Sequence, residues 1–287
     1  MKEDLRGLIE RLEKAGEVAR VRKEVDPRYI SALVAKSPKA MVFERVRGYE
    51  MAMVGGLITT RRRQALSLGV GEAEVGLKFL HAMDNRIDPV IVKESPAQEV
   101  VHTGSQVDLT SLPIPLLHRK DGGPYITTGI VVAKDYKGRR NAGMYRLMYR
   151  TPTETGIDLV SPSDLRFIYQ RALEEGKALP VAVAMGCHPA EMFATSYKAP
   201  PGEDEFSVAG GLRGEPVELV ACKTVELEVP ASAEVVLEGE LLPVGWTVDE
   251  GGFGDFTGHQ CTIRWNPIFR VKAITRNDPA YPPRLKE

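Results

Sequence analysis

Tyr125-Ile-Thr-Thr-Gly-Ile-Val-Val-Ala-Lys134 and Asn141-Ala-Gly-Met-Tyr-Arg-Leu-Met-Tyr-Arg150 flank the turn residues Asp135-Tyr-Lys-Gly138. Two β-prone runs around Asp/Gly turn chemistry predict antiparallel partners, which makes the second part of the chain a β domain. Residues 217–222 and the alternation of Val225, Leu227 and Val229 with Thr224, Glu226 and Glu228 predict half-buried strands of a small antiparallel barrel. Residues 235–237 and 269–275 continue it, and strands are expected from Val181 onward. A helix is predicted over 163–176, with a Ser163/Asp164 cap and Gly176 beyond its end.

Upstream, Leu5, Leu8, Ile9 and Leu12 have helical spacing, and Gly16 ends that helix before the strand-like residues 18–21. Residues 40–43 and 51–54 read as a hairpin around Arg47-Gly48-Tyr49, and 61–69 and 72–83 as helices. Residues 88–115 are proline-punctuated and read as irregular, so a domain boundary is placed near residue 100.

Composition excludes several classes of function. A net charge of −1, with 27% charged and 43% hydrophobic residues, gives no long-range field for nucleic acid or anionic lipid. Cys187, Cys222 and Cys261 form no CxxC pair, which argues against a disulfide framework or zinc knuckle. No membrane-spanning run or signal peptide is evident, so a cytoplasmic location without a membrane partner is expected. No Gly-rich loop opens a helix in the dinucleotide pattern, and Cys187 and His188, adjacent in a turn, make a poor nucleophile pair. His259 closely follows the acidic turn near residue 250 and reads as a surface residue.

Seven ordered blocks carry a resemblance. They are Leu5-Arg-Gly-Leu-Ile with Glu24-Val-Asp-Pro27, Asp121-Gly-Gly-Pro-Tyr-Ile-Thr-Thr128, Asn141-Ala-Gly-Met-Tyr-Arg146, Leu179-Pro-Val-Ala-Val-Ala184, Leu212-Arg-Gly-Glu-Pro-Val-Glu-Leu-Val220, residues 228–239, and Phe253-Gly-Asp-Phe-Thr-Gly258. Together they resemble the UbiD family of prenylated-FMN-dependent decarboxylases. The resemblance implies an α+β chain with an N-terminal α/β domain, residues 1–100, followed by a split β-barrel of flavin-reductase type, residues 101–287, that binds the cofactor. It also implies a C-terminal α/β domain with no counterpart in this sequence, to be supplied by a separate subunit unless the chain is truncated or a short paralogue.

By the same resemblance Asn141, Asp164 and Glu205 are metal ligands completed by the flavin phosphate, with Asp164 standing where the family has histidine. Amide, carboxylate and phosphate oxygens suit Mn²⁺ or Mg²⁺. Backbone carbonyls around Ala194 to Tyr197 are expected to hold K⁺. Thr128, Asn141, Met144, Tyr145 and Arg146 are expected against the prenylated FMN, which a UbiX-type prenyltransferase would supply. The implied catalytic set is Arg146 as a fixed cation, Glu250 as proton donor and Asp255, where the family usually has glutamate.

Each of these residues has a plainer reading. Asp164 could cap its helix, Glu205 could sit solvated in an acidic loop, Asn141 could be a turn residue, and Glu250 and Asp255 could belong to an exposed turn. The expected reaction is reversible, non-oxidative decarboxylation of an aromatic or α,β-unsaturated acid. The alternatives are a non-catalytic subunit needing a C-terminal-domain partner and an ordinary flavin reductase. Oligomerisation is expected.

Overall fold

The computed structural model describes residues 3–200, 202–255 and 257–278. Residues 279–287, assigned above to the barrel domain, and Phe256 of the last block lie outside them.

The N-terminal region is built on α1 (Leu5–Lys14), whose Asp4 cap accepts the Gly7 N–H at 2.8 Å. Leu5, Leu8, Ile9 and Leu12 are all buried, as their spacing demands. The chain continues through β1 (Val18–Val21), α2 (Pro27–Lys36), β2 (Ala40–Phe43) and β3 (Met53–Gly55). β1 runs parallel to β2, and β2 and β3 form the expected antiparallel pair. α2 was not anticipated, although Asp26 caps it and Pro27 occupies its first position, a recognisable start signal. α3 (Arg61–Leu68) and α4 (Val75–Asp84) follow, and Gly69 closes α3 at φ 66°.

Residues 88–115 are more ordered than expected. They contain β4 (Val90–Val92) and β5 (Val100–Thr103), joined by short 3-10 turns. Next come β6 (Tyr125–Ile126), β7 (Ile130–Lys134), β8 (Arg140–Met144), β9 (Leu147–Thr151), β10 (Glu154–Ile157), α5 (Asp164–Glu174) and β11 (Leu179–Met185). α6 (Pro189–Thr195) and α7 (Glu205–Arg213) interrupt what was expected to be continuous strand. α7 is buried from Glu205 to Leu212, so it lacks the one-sided pattern that reveals a surface helix. The last elements are β12 (Glu218–Ala221), β13 (Glu228–Pro230), β14 (Val235–Leu241), β15 (Val248–Glu250), β16 (Arg264–Asn266) and β17 (Ile268–Arg276).

Among the described residues the largest sheet follows the order β6-β9-β10-β17-β14-β11-β7-β8, with β5 also on β17. β7 and β8 pair antiparallel as predicted, from Ile130 opposite Met144 to Lys134 opposite Arg140. Asp135 ties their turn by accepting the Lys137 and Arg139 N–H groups. The second run of the opening motif is not one strand, however. It breaks after Met144, and β9 pairs with β6 and β10 instead. That break delivers Tyr145 and Arg146 to the split in the sheet.

β12 leaves the barrel and joins β13 and β4 in a separate sheet, parallel to β4. The expected strand through Val225 and Leu227 is a turn. Buried Glu238 on β14 accepts the N–H groups of Lys223 and Thr224 and the Thr224 hydroxyl, and three such bonds outweigh strand pairing there. No helix among the described residues is long and apolar enough to cross a membrane.

Candidate active site

Arg146 and Glu250, a hundred residues apart in sequence, meet in a bidentate ion pair. Arg146 donates from Nε to Oε1 at 2.6 Å and from Nη2 to Oε2 at 2.8 Å. Glu250 ends β15 and is 2% exposed, whereas the Arg146 side chain is 18% exposed. The Phe253 ring lies 4.8 Å from the guanidinium carbon, so the cation is stacked as well as paired. Burial opposes the charge on Arg146, but Glu250 and Asp158 outweigh it and raise its pKa.

Asp158, which sequence reasoning did not select, is the second carboxylate on Arg146, at 2.9 Å from Nη2. Asp255 is not. Its carboxylate accepts the Thr257 N–H at 2.9 Å and the Thr257 hydroxyl, and these bonds hold its pKa low within its own turn. Both bonds fall on Oδ1 and turn the carboxylate toward its own loop, and among the described residues Arg146 pairs with Glu250 and Asp158 rather than with Asp255, which was expected to complete the set. Its backbone N–H donates to the carbonyl of His259 at 3.0 Å.

The loop carrying these acids is fastened to residues 118–125. Asp121, with a fully buried side chain, accepts the N–H groups of His118 and Gly254, both at 2.9 Å. The Tyr125 hydroxyl donates to the Gly251 carbonyl at 3.0 Å, and Gly122 N–H to the Gly252 carbonyl at 2.8 Å. Gly122 and Gly251 face each other so closely that a Cβ on either would collide with the other's backbone. Gly122→Ala is therefore expected to lower stability by about 1–3 kcal/mol, the usual cost of overpacking, and to loosen Glu250. Denaturant unfolding checks it, and an unchanged midpoint would contradict it.

A cavity of about 380 Å³ opens beside the pair, lined by Thr127, Met144, Tyr145, Arg146, Asp158 and Phe253 among others. Thr128, in the link between β6 and β7, is exposed and is not on its wall; its neighbour Thr127 is.

Asn141, Asp164 and Glu205 line a second cavity of about 370 Å³. Glu205 opens α7 and is 3% exposed, so the solvated-loop reading fails. Its Oε2 accepts the Ala142 N–H at 2.9 Å, and its Oε1 accepts from Asn141 Nδ2 at 3.2 Å. Burial, with the charges of Asp204 and Asp164 adding to it, pushes the Glu205 carboxyl up to about 7. Asn141 Oδ1 is buried without a hydrogen-bond partner. Ser163 caps α5 by accepting the Arg166 N–H, which leaves the Asp164 carboxylate uncommitted to the cap. An orphaned amide oxygen and a buried carboxylate short of compensation fit a hard cation. No grouping of three or more His, Cys, Asp or Glu with metal-holding potential occurs among the described residues, so any ion here depends on the amide. Ala194 to Tyr197 form the end of α6, where the Ala194 carbonyl accepts the Tyr197 N–H at 3.1 Å.

The raised Glu205 pKa predicts a pH dependence. The folded state holds this proton more tightly than the unfolded chain, so the contribution is full below about 4.5 and is lost as pH rises through about 7. The metal-free protein is expected to lose stability over that window, with a slope approaching about 1.4 kcal/mol per pH unit, and Glu205→Gln to flatten it. Urea unfolding at several pH values measures both slopes, and equal slopes would contradict the assignment.

Comparison with known proteins places these features. Residues 90–285 match the 3-octaprenyl-4-hydroxybenzoate carboxy-lyase Rift-related domain (UbiD), and residues 9–83 match the N-terminal domain of the same carboxy-lyase. The chain is 37% identical over 278 residues to an anhydromevalonate phosphate decarboxylase of Methanosarcina mazei, covering 96% of this chain and 64% of that protein. The UbiD-class enzyme HmfF of Pelotomaculum thermopropionicum, in complex with FMN, superposes with a TM-score of 0.91 at 36% identity, over 96% of this chain and 63% of HmfF. An evolved dimeric form of HmfF in complex with prFMN also gives 0.91, at 37% identity, over 96% of this chain and 65% of that one. The chain thus spans just under two thirds of the length of these relatives.

Proposed function

This chain belongs to the UbiD family, and from that premise we propose that it reversibly decarboxylates an aromatic or α,β-unsaturated acid, using prenylated FMN and a divalent metal. The observation that carries the reading is the bidentate Arg146–Glu250 pair, whose arginine lines a cavity of about 380 Å³ while the buried glutamate holds it from behind.

Bound prenylated FMN supplies the sink for the electron pair left behind when CO₂ departs, which no side chain in the cavity can accept. Arg146 gives Nε and Nη2 to the two acids, while Nη1 has no hydrogen-bond partner among the described residues. That N–H group orients the substrate carboxylate. Glu250 takes up a proton at an Oε atom and delivers it to the carbon vacated by CO₂; in the carboxylation direction it removes that proton. Phe253 and Tyr125, packed with ring centroids 4.9 Å apart, keep water from the pair. Asn141 Oδ1, Glu205 and Asp164 would hold Mn²⁺ or Mg²⁺ beside the flavin phosphate.

The Methanosarcina relative's name suggests a phosphorylated unsaturated acid, and an aryl acid is the other class to test. Co-expression with a UbiX-type prenyltransferase and anaerobic purification should yield modified-flavin absorbance and CO₂ release from one member of an acid panel. Unmodified FMN with NADH oxidation would instead mark a flavin reductase, and modified flavin with no turnover would mark a cofactor-holding subunit.

A further inference from the structure

Three groups share one ion-paired cluster at the split of the sheet: one cation, Arg146, and two acids, Glu250 and Asp158. The two acids are held differently. Asp158 directly follows β10, which is paired on both sides, to β9 and to β17. Its backbone N–H donates to the Arg146 carbonyl at 3.0 Å, and its Oδ1 accepts the Val160 N–H at 3.2 Å while Oδ2 takes the guanidinium. Backbone and carboxylate are thus tied to the same arginine. Glu250 ends the three-residue β15, which pairs with β16, and then enters Gly251-Gly252.

We propose that Asp158 is a positioning residue, the permanent counter-ion that keeps Arg146 in place while Glu250 is protonated and discharged. The reason is charge compensation. If Glu250 were the sole partner, adding a proton to it would strand a half-buried guanidinium, so the arginine would resist the very protonation that a proton donor requires. With Asp158 in place, protonation of Glu250 converts a cluster of one cation and two anions into a neutral Arg146–Asp158 pair plus a neutral acid. Arg146 keeps its orientation and Glu250 is free to move its proton. The other titratable groups near the cluster include Tyr125 on β6 and Cys261 in the segment after β15, with Asp121 beyond Tyr125 and Arg264 on β16 opposite Glu250 in the ladder. None of them supplies a second anion in contact with Arg146 among the described residues.

The consequence for turnover rests on the decarboxylase reading, whereas the structural half does not. Two measurements keep them apart. In a crystal structure of Glu250→Gln without substrate, Arg146 should remain ion-paired with Asp158; a guanidinium swung away from Asp158 would overturn the proposal whether or not the chain is an enzyme. In the flavin-loaded protein, a reaction that needs a proton donor loses activity at the alkaline end of its pH profile. Asp158→Asn should move that fall to lower pH by about one unit or more, equivalent to a loss of kcat of about fivefold or greater at the original midpoint and about tenfold well above it, with KM changed less. Asp158→Glu, which restores the charge, should recover the wild-type profile in large part. An unmoved profile in Asp158→Asn, or no recovery in a folded Asp158→Glu, would overturn the positioning role. If the wild-type chain decarboxylates no acid, the functional reading fails and the crystal structure still decides the structural claim.

Discussion

Glu250→Gln is expected to lower kcat by about 10²–10⁴, the range that general acid catalysis contributes, while leaving the fold and flavin loading intact. Glutamine has nearly the shape of glutamate, and its amide oxygen can still accept from Arg146, so the 2%-exposed site loses a charge and a transferable proton but no packing. Asp158 retains the guanidinium, so the substitution does not orphan it. Single-turnover measurements on the loaded variant, with a thermal melt as control, check this. A variant that kept more than about a third of wild-type kcat would place the proton donor elsewhere.

Arg63→Met should produce the largest loss of stability, about 3–5 kcal/mol, as for removal of one member of a buried ion pair. Arg63 is 1% exposed in the N-terminal region and donates from all three of its guanidinium nitrogens. It donates to the carbonyls of Gly56 and Pro38, both at 2.9 Å, to Thr59 Oγ1 at 2.6 Å and to Glu17 at 3.1 Å. Methionine fills most of the space and satisfies none of these acceptors: the Pro38 carbonyl and the Glu17 carboxylate lose a donor, and the Gly56 carbonyl keeps only the Thr59 hydroxyl at 3.1 Å. Glu17 keeps Arg62 at 2.8 Å, which limits the charge penalty. Urea unfolding measures the change, and a loss below about 1 kcal/mol would mean that the surrounding loop rearranges to water.

How much of this was legible depends on what each residue touches. The β7–β8 hairpin could be read because Asp135 and Gly138 encode their turn locally, and α1 because its buried side chains repeat with helical spacing. The break after Met144 could not, since residues 141–150 are uniformly strand-like and only the pairing of β9 with β6 and β10 interrupts them. α6 and α7 were missed for the opposite reason. Being buried on most sides, they show no polar face, although His188 before Pro189 and Asp204 before Glu205 do mark their starts.

At the site, Arg146 and Glu250 were reached through family resemblance, because nothing local links residues 104 apart. Asp158 carried no local signal: Gly156-Ile-Asp158 ends a strand, and only its arrival beside Arg146 gives it significance. Asp255 occupies the expected sequence position, yet Thr257 two residues later offers its carboxylate a closer partner. For Glu205 the acidic loop suggested exposure, and the fold instead places it beneath Asn141 as the first residue of a buried helix.

The most direct test of the central claim, that the Arg146–Glu250 pair serves decarboxylation at a flavin, is isotope exchange. The prenylated-flavin-loaded chain is incubated anaerobically with ¹³C-bicarbonate and a panel of aryl and unsaturated acids, beside Glu250→Gln loaded to the same level. The account predicts ¹³C in the carboxyl group of at least one recovered acid with the wild type, and at least a hundredfold slower labelling with the variant, the lower end of the acid-catalysis range of about 10²–10⁴. Equal labelling by the two proteins, or none by a fully loaded wild type, would contradict it.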